Sequence, residues 1–137
     1  MSRHVPIDPA LHRELRVITA RGLAYGDGAM LALTFPAEFR SLQAHYPIVF
    51  QKNTVGEVLP VVLLGLREGE NLFLQGSHWD ADYLPMAVER QPFLIGRDGA
   101  ALSVHIDLDS PRISSTVGEA LFAVHGGTTP YLERMSA

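Results

Sequence analysis

Apolar and polar positions change their period several times along the chain, and each change marks an element. Val61-Val62-Leu63-Leu64 is continuously apolar, opens on two β-branched residues and is too short to cross a bilayer. It reads as a strand covered on both faces. Pro60 has no N–H to donate and is expected at that strand's beginning rather than its middle. After the polar turn Arg67-Glu68-Gly69-Glu70, the segment Asn71-Leu72-Phe73-Leu74-Gln75 returns as a second strand, which predicts a hairpin. Gly76 to Asp80 breaks it, and Pro85 and Pro92 bracket a helix of about two turns.

Upstream the period is helical. Phe35, Phe39, Leu42 and Tyr46 make one amphipathic stripe, with Glu38, Arg40, Ser41 and His45 flanking it and Pro47 ending it. Ile48-Val49-Phe50 restarts strand structure. Downstream the period is two. Leu102, Val104, Ile106 and Leu108 share one strand face, and Ser103, His105 and Asp107 share the other. Asp98-Gly99 between apolar runs is a hairpin signal. Val5 to Asp8 is extended, Asp8-Pro9 opens a capped turn, Leu15–Thr19 reads as a strand, Ala29–Leu33 as a strand or an extended link, and Thr129 to Arg134 begins a helix. The sum is an α+β chain, mainly antiparallel β-sheet curling towards a barrel, with two or three short helices.

Composition narrows the classes. A chain of 137 residues, 47% hydrophobic and 19% charged, suits a single globular domain over residues 1–137. The net charge of −4 and the lack of a basic stripe leave no footprint for nucleic acid. No segment is a membrane span. Without cysteine there is no disulfide, thiolate metal site or cysteine nucleophile. The first residues lack the apolar core of a secretory signal, so cytoplasmic residence is the expectation.

Three groups carry candidate chemistry. Ser103, His105 and Asp107 are the residue types of a hydrolytic triad, but strand neighbours two apart lie roughly 6.5 Å from one another, and no Gly-x-Ser-x-Gly elbow is present. His105 and Asp107 with His125 match the order of a two-histidine, one-carboxylate Fe(II) site, the basis for an oxygenase-like alternative. His78 and Trp79 could hold a small molecule, the ring stacking and the polar neighbours orienting it, with Tyr83 and Arg90 completing a ligand-binding set. Trp79 otherwise covers the core, its indole N–H needing a partner. Asp80 and Asp82 suit the positive end of the helix that follows. His12 and His45 read as surface or capping groups.

In order along the chain, V-P-I-D-P-x-x-H (5–12), YPIVF (46–50), LLGL (63–66), GENLFL (69–74), W-x-x-x-Y-L-P (79–85), R-x-P-F (90–93) and GEALF (118–122) resemble the bacterial SapC-like family. That family is named after a surface-layer-associated protein. The resemblance implies a chain longer than this one at its C-terminus, so this chain reads as a short relative or a truncated form. Family members are often encoded beside outer-membrane receptors, cupin-like proteins and tryptophan-halogenase-like flavoproteins. No catalytic residue follows from the likeness. It implies a non-catalytic accessory protein with protein partners and no cofactor, working in nutrient uptake or surface biology. Two other readings follow from its name: a structural surface-layer component, and export to the cell surface without a cleaved signal. Apolar surface left bare by a missing C-terminal portion would favour a homo-oligomer.

Overall fold

Short strands separated by turns dominate, because glycine, proline and Asx residues interrupt every apolar run before it grows long. The computed structural model describes residues 3–99 and 101–136. The strands are β1 (His4–Pro6), β2 (Arg16–Val17), β3 (Leu31–Leu33), β4 (Ile48–Lys52), β5 (Val58–Leu63) and β6 (Leu74–Gln75). They continue with β7 (His78–Trp79), β8 (Phe93–Asp98), β9 (Ala101–Asp107), β10 (Ile113–Ser114) and β11 (Glu119–Ala120). The helices are α1 (Phe39–Leu42), entered through a 3-10 turn at Pro36–Glu38, α2 (Met86–Glu89) and α3 (Pro130–Ser136). Every strand pairing is antiparallel, as the alternation predicts. The sheets are separate and open, in the orders β1-β9-β8, β10-β2-β11, β3-β5-β4 and β6-β7, so the expected curl into a barrel does not form.

The residues gather into two compact units, one made of 1–20 with 90–137, the other of 21–89. The first is built on the predicted Asp98-Gly99 hairpin, β8 against β9, with β1 added along β9 so that Val5 faces Ile106. Ile106 and Phe93 enter a core with Val17, Leu121, Phe122, Tyr131, Leu132 and Met135, and Val104 and Leu108 pack against it. Leu102, on the same face, runs past the core into solvent. Arg112 is buried, its Nη1 donating to the carbonyls of Ile18 at 2.7 Å and Ala20 at 2.8 Å. That ties the loop before β10 to the end of β2.

In the second unit the apolar run is the middle strand, β5. It forms no ladder with 71–75, which it meets just past its end, where the Leu72 amide donates to the Leu64 carbonyl at 2.8 Å: its strand partners are β3 and β4, Val62 facing both Ala32 and Ile48. Leu74–Gln75 pairs with His78–Trp79 instead, across a tight turn. An apolar run states that a strand is covered, not which strand covers it. Pro60 is the third residue of β5, not its first. Its carbonyl accepts from the Thr34 amide at 3.1 Å, beyond the end of β3. A strand residue's N and C=O point to one edge, so the missing donor faces the side where β3 has stopped, and the β4 ladder is spared. Leu42, Tyr46, Val62, Leu64 and Val88 form this unit's core. The stripe of Phe35, Phe39, Leu42 and Tyr46 is therefore inward only over its last two members, since Phe35 stays exposed. The helix between Pro85 and Pro92 is a single turn. Among the described residues, no helix is long and apolar enough to cross a membrane.

Candidate functional site

Glu38 ends the 3-10 turn opened by Pro36 and is only 3% exposed, although its place in the stripe predicts a flanking, solvated position. Its side chain turns inward to three donors. Thr34 Oγ1 lies 2.6 Å from Oε1, and the Tyr83 hydroxyl and the Met86 amide lie 2.8 and 2.7 Å from Oε2. Three donors suit an ionised carboxyl, which only accepts. The Met86 amide belongs to the first turn of α2, where backbone donors lack helical partners. Asp80 and Asp82, expected to serve that end, are exposed, and Glu38 serves it in their place.

A hydrogen-bonded chain runs from this carboxylate through the aromatic residues. Trp79 Nε1 donates to the Tyr46 hydroxyl at 2.8 Å, and that hydroxyl donates to the Tyr83 carbonyl in a short bond. Trp79 stacks on Phe73 with centroids 6.4 Å apart, and Phe73 lies 4.6 Å from the Tyr46 ring. Burial pushes the Tyr83 hydroxyl up to about 12, with the bond to Glu38 and the charges of Glu38, Glu89 and Tyr46 adding to it. Tyr46 is raised as well, chiefly by burial, with the bond from Trp79 opposing and the charge of Glu38 adding.

Of the predicted ligand set, Trp79 and Tyr83 are therefore joined through Tyr46, with their polar atoms engaged inside the fold. His78 is exposed on β7. Arg90 is partly buried and belongs to the other unit's segment, so the four residues do not all sit on one unit. Ser103 Oγ does reach His105 Nδ1, at 3.4 Å, closer than strand spacing suggests. Asp107 takes no part: its Oδ1 accepts from the amides of Arg3 at 2.7 Å and Asp109 at 3.0 Å. His125 is exposed in the turn between Phe122 and Thr128. Among the described residues no three His, Asp or Glu side chains stand where they could share a metal ion, so His105, Asp107 and His125 are not gathered. Local strand order places His105 and Asp107 on one face of β9.

Sequence reasoning missed a cleft in the first unit. It has a volume of about 460 Å³ and is lined by β2, β11 and the start of α3, with Arg16, Gly118, Thr129, Tyr131 and Arg134 in its wall. Arg16 faces away from the core, since its neighbour Val17 is wholly buried, and its Nη1 donates to the Gly118 carbonyl at 3.0 Å. Arg134 lies over the Tyr131 ring, its Cζ 5.7 Å from the centroid. Gly118 holds φ +99°, and a Cβ there would stand 2.4 Å from the Val17 carbonyl oxygen, so only glycine lets β11 approach β2. The sequence signal was slight: two arginines far apart in the chain, on elements whose pairing was not predicted.

The residues behind the family likeness thus have local tasks. In the first motif, Asp8 Oδ1 accepts from the Ala10 and Leu11 amides, and His12 Nδ1 accepts from the Asp8 amide at 2.9 Å. In LLGL, a Cβ on Gly65 would fall 2.2 Å from the Glu70 carbonyl oxygen. Compared with known proteins, residues 7–137 match the model of one family, described as SapC. No curated protein and no solved structure matches.

Proposed function

The chain belongs to the SapC family, and on that premise we propose that it is a non-catalytic accessory protein that binds partner proteins in bacterial nutrient uptake or surface biology. The observation carrying the reading is an apolar surface on the β4–β5 hairpin. Phe50 is 65% and Val58 61% exposed, and the register puts both on one face with Pro60. The Phe39 ring meets Phe50 edge-on at 6.4 Å. β4 is an edge strand, so its outer backbone groups are open to pairing with another chain. An aromatic and aliphatic patch beside an open strand edge suits protein recognition better than it suits solvent.

The test is binding of the purified chain to proteins encoded beside it, of the receptor, cupin-like and halogenase-like kinds, by biolayer interferometry. Saturable binding to at least one is expected, and Phe50→Asp should weaken it roughly tenfold or more, as loss of an interface anchor does. If no neighbour binds, or if Phe50→Asp binds as well as the parent, the reading is wrong. Homo-oligomerisation through the same edge is part of the proposal, and light scattering over a range of concentrations reports on it.

A further inference from the structure

We propose that the cleft between β2, β11 and α3 is a binding site for a small oxyanion, a carboxylate or a phosphate group held between the guanidinium groups of Arg16 and Arg134. The wall holds two cations, and neither lies within ion-pair distance of a carboxylate among the described residues. Arg16 uses one nitrogen on the Gly118 carbonyl, which fixes its plane at the cleft, and among the described residues its other guanidinium donors meet no acceptor. Arg134 is held by the face of a buried tyrosine rather than by an anion. Guanidinium forks match the two oxygens of a carboxylate or phosphate, which makes an oxyanion the complementary ligand. The volume suits a metabolite-sized molecule. The chain as a whole carries a net charge of −4, so two cations in one cleft are a local feature and not part of a general positive field. Glu119 also lines the cleft and reduces its positive potential. This site belongs to one unit, and the surface proposed above to bind partners belongs to the other.

The experiment is an NMR titration of the intact protein with inorganic phosphate and with succinate, each against sodium chloride at matched ionic strength. Saturating shifts confined to the amides of Gly118, Glu119, Ala120, Thr129 and Tyr131 are expected with at least one of the two anions. Response to succinate alone assigns a carboxylate ligand, and response to phosphate alone a phosphorylated one. Arg134→Gln, a change at an exposed residue that leaves the core intact, should weaken binding roughly tenfold. Glu119→Gln should strengthen it by removing a like charge. Shifts no different from those in chloride would overturn the proposal, as would shifts that Arg134→Gln leaves unchanged.

Discussion

Single residues here are best judged by the hydrogen bonds they close, and the buried Glu38 closes three. Replacing it with alanine leaves the Thr34 hydroxyl, the Tyr83 hydroxyl and the Met86 amide without their acceptor. At about 1–3 kcal/mol for each buried group left unmade, with some recovered by water, a loss of about 3 kcal/mol is expected in urea unfolding followed by Trp79 fluorescence. The same cluster gives the protein an alkaline limit. The folded Tyr83 holds its proton up to about pH 12, whereas an unfolded tyrosine releases it near 10. The folded state therefore binds more protons in that window, and stability is full below pH 10 and falls as pH rises towards 12. Urea midpoints between pH 9 and 12 should decline in the parent and decline less in Tyr83→Phe, while tyrosinate absorbance at 295 nm should lose its latest component in that variant. An unchanged alkaline slope in Tyr83→Phe would show that the limit lies elsewhere.

Elements in this fold are short, so turns rather than helix propensity decide whether they form. The β4–β5 hairpin turns on Asn53, whose Oδ1 accepts from the Val55 amide at 3.1 Å and the Glu57 amide at 2.9 Å. Asn53→Ala removes both and should cost about 1–2 kcal/mol, seen as faster hydrogen exchange at the β4 and β5 amides with the Ile48–Val62 register kept. What the sequence revealed follows the same division. Local signals were readable: Asp98-Gly99 marked its hairpin, period two marked β9, and Leu42 with Tyr46 marked the inward side of α1 and the turn that follows it. Long-range choices were not. β5 could have paired with 71–75 on pattern alone, yet it sits between Leu31–Leu33 and Ile48–Lys52. Glu38 looked solvated because two of the three groups that satisfy it lie 45 and 48 positions later in the chain. Trp79's need for a partner could be stated from the indole alone, but Tyr46 as that partner could not. The arginine cleft was invisible for the same reason, since it depends on β11 pairing with β2.

At the scale of the whole molecule, one unit is an uninterrupted stretch of sequence that falls between the two segments of the other, and that order along the chain makes a prediction of its own. Residues 21–89 contain all of the Leu42, Tyr46, Val62, Leu64 and Val88 core and every member of the Glu38 chain. The ends of the stretch are also brought together from within. Arg21 donates to the Val88 carbonyl at 3.4 Å and pairs with the nearly buried Asp27 at 3.4 Å, while Asp27 Oδ2 accepts from the Gly22 amide at 2.9 Å. A segment whose termini meet, and whose core lies wholly between them, has what it needs to fold alone. Its small size leaves a narrow margin of buried surface, so the excised 21–89 fragment should fold but melt well below the parent. The readout is the Trp79 indole N–H resonance, which reports the bond to Tyr46, together with exchange protection along β5. Both should persist in the fragment at low temperature, and Arg21→Ala should lower its melting temperature further by loosening the closure. A fragment whose indole resonance sits at the position of unfolded tryptophan would show that the 21–89 core does not stand without the residues that flank it in the chain.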